Sequence, residues 1–309
     1  MLIHRHLEEY AGLPVYRFDE ETEPDDDLPP AAGTAWCVAT CFDEDPFDDV
    51  FARFLDAVDT TEVTALAIGY WGADYDQGAA DPAALLAEAA AVLPKLRAVF
   101  LGDMTFEESE ISWIQHSDIS PLLAAFPDLE RLDVRGAAGL VLDPVKSANL
   151  KTLRFESGGL PAQVVRAVGA SDLPSLAHLD LWFGVDDYGG DATVADLAPL
   201  LSGERLPALR RLGLEDSEIQ DEIAAAIADA PVVARLESLS LAMGTLSDEG
   251  AEALLSGQPL THLRELDLHH HFLTDPMMER LKAALPGVKV NVDEQDPRGD
   301  GRRYVAVAE

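Results

Sequence analysis

Eight times along the chain an apolar residue is followed at the third and fifth places by two more. The frame appears as VTALAI (63 to 68), LRAVFL (96 to 101), LERLDV (129 to 134), LKTLRF (150 to 155), LAHLDL (176 to 181), LRRLGL (209 to 214), LESLSL (236 to 241) and LRELDL (263 to 268). A degenerate ninth is VKVNV, 288 to 292. First positions are 33, 33, 21, 26, 33, 27, 27 and 25 residues apart. The last two apolar positions of each frame alternate with polar ones, which predicts a half-buried strand. Between the strands, DPAALLAEAAAVLP (81 to 94), PAQVVRAVGASDLP (161 to 174), QDEIAAAIADAP (220 to 231) and TDPMMERLKAALP (274 to 286) carry apolar residues at helical spacing. Ser247 and Thr274 are placed to cap two such helices, and Leu-Pro or Phe-Pro steps end many of them.

The stretch LESLSLAMGTLSDEGAEALL, 236 to 255, resembles the leucine-rich-repeat family, specifically its ribonuclease-inhibitor-like branch. The resemblance covers residues 62 to 293. It implies an α/β solenoid, an arc with a parallel β-sheet on its concave face and helices on its convex face, buried by stacking of neighbouring units. The expected division is an N-terminal capping segment over 1–61, an array of about nine units over 62–293, and a C-terminal tail or cap over 294–309. One departure matters. The family's asparagine, three places after the last Leu of the strand, is replaced by Trp71, Met104, Ala137, Gly158, Gly184, Ser217, Gly244 and His271. Water or tighter turns are expected to satisfy the backbone there instead. The whole chain also resembles a group of uncharacterised bacterial leucine-rich-repeat proteins, through AWCVATCF, FARFLDAVDTTEV, ALAIGYWG and SWIQHSDISPLL. Some of these are encoded near radical-SAM-type enzymes, which implies a helper role in a biosynthetic pathway.

Ahead of the array, LPVYRF (13 to 18) and AWCVATCF (35 to 42) read as strands, and DPFDDVFARFLDAV (45 to 58) as an amphipathic helix. Together they form a cap. Cys37 and Cys41, the only cysteines, are expected to be buried, reduced thiols, because four places along a strand is too far for an ordinary disulfide. At the other end YVAVAE predicts a short final strand, and the Arg298-Gly299-Asp300 string reads as coincidence. The first residues lack the apolar core of a signal peptide, and no apolar run reaches the ~18 residues of a membrane span, so a cytoplasmic protein is expected.

Three units carry extra length, at 71 to 82, 102 to 121 and 183 to 199. The second holds Phe106, Ile111, Trp113 and Ile114, too apolar for a merely solvated loop, and either packs on neighbouring repeats or contacts a partner. Asp186, Asp187 and Asp191 lack the frame of a calcium loop and read as solvated.

Charge narrows the function. Against 22 Lys and Arg stand 57 Asp and Glu, a formal net charge of −35. Such a field opposes nucleic acid and anionic membranes and suits a basic partner or simple solubility. On the expected concave face one row runs Ala65, Ala98, Arg131, Thr152, His178, Arg211, Ser238, Glu265, and the next Ala67, Phe100, Asp133, Arg154, Asp180, Gly213, Ser240, Asp267. A third runs Gly69, Gly102, Arg135, Glu156, Trp182, Glu215, Ala242, His269. Small residues on the first two strands suggest coverage by the N-terminal segment or an insertion. The middle concentrates Arg131, Asp133, Arg135, Arg154, Glu156, His178, Asp180, Trp182 and Arg211, which with Trp113 form the candidate surface for a protein or peptide partner. The competing reading is mutual neutralisation of cross-strand pairs. A non-enzymatic, monomeric scaffold without cofactor or metal is expected. The alternative is an accessory subunit or enzyme using His178 and Asp180 as an acid-base pair, but no nucleophile frame or phosphate-binding glycine loop accompanies them. His269, His270 and His271 alternate in direction and are not expected to converge on an ion.

Overall fold

The computed structural model describes residues 3–23, 27–41, 45–72, 80–296 and 302–309. Among these residues twelve strands form one open sheet whose spatial order is their order in the chain. They are β1 (Glu9–Tyr10), β2 (Leu13–Phe18), β3 (Ala35–Val38), β4 (Ala65–Ile68), β5 (Ala98–Leu101) and β6 (Arg131–Arg135), followed by β7 (Thr152–Glu156), β8 (His178–Gly184), β9 (Arg211–Ser217), β10 (Ser238–Ser240), β11 (Glu265–Asp267) and β12 (Lys289–Asn291). β1 and β2 make an antiparallel hairpin, and every later pair is parallel.

Parallel neighbours need a crossover, and here it is helical in almost every unit. The helices are α1 (Phe47–Ala57), α2 (Pro82–Glu88), α3 (Ser120–Ala125), α4 (Ala162–Ala170), α5 (Val194–Ser202), α6 (Gln220–Ala228), α7 (Asp248–Ser256) and α8 (Asp275–Ala284). The shortest repeat, between β6 and β7, is the one of the array that has no helix. All three apolar positions of each frame lie in one core with the helices. Leu150, Leu153 and Phe155, for example, join Val164 and Val168 of α4, each no more than 1% exposed. No helix among the described residues is long and apolar enough to cross a membrane.

The helix-free face is closed over its first strands by the N-terminus. Tyr10, with Leu7, Leu13 and Val15, packs on Ala35, Cys37, Ala65, Ala67, Ala98 and Phe100 in a second, smaller core. Alanine on β4 and β5 leaves room for the hairpin side chains. Cys37 is buried, but Cys41 is exposed, because β3 ends at Val38 and the chain has already left the sheet. In the insertion, Ile111 and Ile114 are buried while Trp113 remains 42% exposed. Residues 302–309 form no strand; they cross the turns beyond the sheet. Residues 73–79 of the first insertion and the Arg298-Gly299-Asp300 string lie outside the described residues.

At two of the eight positions that lack the family's asparagine, the replacing side chain itself serves the backbone. His271 is fully buried; its Nδ1 accepts a hydrogen bond from Leu273 N (3.1 Å), so Nε2 carries the proton and donates to Val292 O (3.0 Å). Ser217 Oγ accepts from Ile219 N at 3.2 Å. Carboxylates tie successive helix starts together: Asp221 accepts from Ser247 N (2.8 Å), and one unit later Asp248 accepts from Thr274 N (2.8 Å). Part of the chain's acidity is therefore structural. His271→Ala leaves two buried backbone groups unpaired and should cost about 3 kcal/mol in urea denaturation. His271→Asn, which can both accept and donate, should cost less than half of that.

Candidate functional site

Register places the candidate side chains as the sequence rows require: Arg131 beside Thr152, Asp133 beside Arg154, Arg135 beside Glu156, Arg154 beside Asp180 and His178 beside Arg211. Opposite charges, two places apart on one strand or on adjacent parallel strands, then meet at contact distance. Arg131 grips Asp133 with two nitrogens, at 2.6 and 3.1 Å. Arg154 lies 3.6 Å from Asp133, 3.0 Å from Glu156 and 3.0 Å from Asp180. Arg135 holds Glu156 at 2.9 Å and donates to Met104 O at 3.2 Å.

Aromatic rings close the network from above. Tyr10 donates its hydroxyl to Asp133 (2.9 Å) and lies under the Arg131 guanidinium, while Arg135 stacks over Phe100 at 5.0 Å. Burial and the neighbouring Asp133 charge push the Tyr10 phenol well above its ordinary value, so it remains a donor. Asp133, Arg135 and Glu156 are 0%, 7% and 5% exposed. They do not lie on an accessible surface. The physical reason is balance: three guanidiniums and three carboxylates, counting Asp180, satisfy one another within the sheet and under the N-terminal arm. Arg131, Arg154, His178, Asp180 and Trp182 are half-buried, and Arg211 is exposed. Trp113 stands apart, its Nε1 bonded to Glu110 and its ring edge-on to Tyr188.

From β8 onward the face opens into a groove with a cavity volume of about 340 Å³. His178, Asp180, Arg211, Glu215, Glu265 and Asp267 line it. Gly213 sits where a side chain would collide with Asp180 Oδ1, so its bareness makes room for the carboxylate. His178 Nε2 lies 2.8 Å from Asp180, and Trp182 Nε1 donates to Glu215 at 2.8 Å. Burial works to raise Asp180, but the hydrogen bond and charge of His178 and the charge of Arg154 outweigh it and hold the carboxyl low. Among the described residues no cation forms a salt bridge with Glu215; burial and the Asp180 charge push it up to about 7. Asp267, also held low against burial, is bonded by His269, whose imidazole it raises in return.

The histidine triplet diverges. His269 turns to Asp267, His270 to Tyr304 O, and His271 to Val292 O. Among the described residues no group of three or more His, Cys, Asp or Glu is placed to hold a metal ion. Glu215 and Asp267 were on the sequence rows without being singled out. Tyr10 had no local signal, because its partner lies 123 residues away.

These features define a protein with a single open, mixed α/β sheet built in chain order, with helices against one face. The chain superposes with a TM-score of 0.76 on the crystal structure of a protein from Bacteroides fragilis solved as a structural-genomics target. The two are 31% identical over 84% of this chain and 73% of that one, and the chain belongs to the family of that protein. A complex of TLR13 with ssRNA13 aligns with 85% of this chain and 36% of its own at 14% identity, with a TM-score of 0.43, too low to carry an argument. No family model matches the chain, and no curated protein does.

Glu215 makes stability depend on pH in a definite sense. Its folded value lies above its unfolded one, so the stability it contributes is complete below about pH 4 and is lost as pH rises through about 7. Glu215→Gln should flatten the decline in urea midpoint between pH 5 and 8 relative to the parent protein.

Proposed function

We propose that the chain is a leucine-rich-repeat solenoid of the ribonuclease-inhibitor-like kind acting as a non-enzymatic interaction scaffold. Its helix-free face, the concave one in such an arc, takes a basic segment of a protein or peptide along β8 to β11. The observation that carries this reading is the open groove in which Asp180, Glu215, Glu237, Glu265 and Asp267 outnumber Arg211 and Arg264, on a chain of formal net charge −35. A field of that sign steers cationic partners inward and repels phosphate backbones. Trp182, Arg211, His178 and Asp180 remain candidate contacts, while the centre of binding moves toward the C-terminal strands because the charges on β6 and β7 satisfy one another.

A second reading, an accessory subunit or enzyme with a small site at His178 and Asp180, is favoured by one observation. Asp180 is held low and Glu215 is held near 7 in the same groove, the separation that general acid-base work uses. The scaffold reading is preferred because the groove spans four strands, β8 to β11, and is open.

Charge reversal separates face from field. Glu237→Lys with Glu265→Lys should abolish capture of the partner from the native lysate. Glu204→Lys with Glu279→Lys, the same change in net charge on exposed positions away from the groove, should leave capture intact. Equal loss from both pairs would reduce the interaction to bulk charge and contradict the proposal.

A further inference from the structure

Residues 302–309, RRYVAVAE, run along the turns beyond the strand ends and touch unit after unit. Arg303 enters a cavity of about 420 Å³ lined by Glu218, Asp221, Glu222 and Glu249, where its Nη1 meets Asp221 at 2.6 Å and donates to Thr245 O at 2.9 Å. His270 Nε2 faces Tyr304 O at 3.1 Å, and the two rings pack 5.2 Å apart. Ala306 N donates to Met243 O (2.7 Å), Val307 N to Asp216 Oδ1 (2.9 Å), and Ser112 Oγ to Ala308 O. Val305 and Val307 are buried, while Ala306 and Ala308 are half-exposed.

Main-chain hydrogen bonds combined with burial of alternate side chains are how an extended peptide is recognised. The turns carry a matching signature. Asp216, Met243 and His270, spaced one unit apart, all adopt left-handed backbone at φ 55°, 65° and 54°. For residues other than glycine that conformation is costly and persists only where surroundings impose it. Each of the three hands one group to the tail: a carboxylate, a carbonyl and an imidazole.

We propose that this turn edge is a peptide-recognition track selective for an extended segment with an arginine, an aromatic residue and then valines alternating with small residues. Residues 303–309 are its resident occupant, and a partner segment of the same chemistry competes with them. The track is separate from the groove on the sheet face and does not rest on it. Tethering gives the tail an effective concentration on the order of mM, so a free peptide reaches the track of the native protein only weakly.

The test uses fluorescently labelled RRYVAVAE, read by anisotropy against three full-length proteins: the parent, Val305→Asp with Val307→Asp, and Arg303→Glu. Amide exchange at Ala306 and Val307 reports release of the tail. Arg303 is exposed, so its substitution leaves the core untouched if the double variant proves unstable. Both variants should release the tail and bind the peptide more tightly than the parent, the double variant by about 100-fold. Adding Asp221→Lys should remove that gain. Released tails with no gain in peptide binding, a gain that survives Asp221→Lys, or tails that stay protected in both variants would overturn the proposal.

Discussion

A sheet packed by helices on one side only leaves a second face on which every in-register row must be satisfied by something else. That constraint organises the molecule. Parallel stacking fixes equal positions on neighbouring strands about 4.8 Å apart, so one poorly matched residue is felt by the two strands beside it. The chain solves the problem in three ways along the sheet. On β4 and β5 it uses alanine and covers it with the N-terminal hairpin. On β6 and β7 it alternates arginine and carboxylate, so charge is balanced in place. From β8 onward pairs such as His178–Asp180, His269–Asp267 and Lys289–Glu265 continue, but no arm covers them, and the groove is what remains.

The balanced section is held from several sides. Arg154 touches three carboxylates, and Tyr10 seals Asp133 from the opposite end of the sequence. Removing one member of such a set leaves a partner charge buried and unpaired, which costs far more than an exposed pair contributes. The same arrangement explains why the densest arginine cluster in an acidic chain is not its most accessible surface. Arginine is there because carboxylates are; Asp180 links that network to the groove, where Asp180, Glu215 and Asp267 are each tuned by a different neighbour.

Strand positions, register and the helix-facing core were legible in the sequence, because the spacing of Leu150, Leu153 and Phe155 and its counterparts is a local pattern. Coverage of β4 was legible too, since Ala65 and Ala67 are too small to face water without a reason. Accessibility was not. Whether Asp133 is open or enclosed depends on Tyr10, and nothing near either residue says so. The C-terminal residues look like a strand by alternation, yet their hydrogen bonds go to turns, because β12 rather than the tail occupies the final place in the sheet. His271 was legible by position and not by role: one imidazole nitrogen accepts while the other donates, bridging two backbone groups.

The central claim is that the Asp133, Arg135 and Glu156 network is enclosed on the helix-free face, while the carboxylates of β8 to β11 lie in an open groove. Carbodiimide labelling of carboxyl groups in the native protein, mapped residue by residue, tests it most directly. The account predicts that Asp133 and Glu156 are modified only on unfolding, while the half-exposed Glu237 and Glu265 of the groove are modified in the native protein. Comparable native-state labelling of Asp133 or Glu156 and of Glu265 would contradict it.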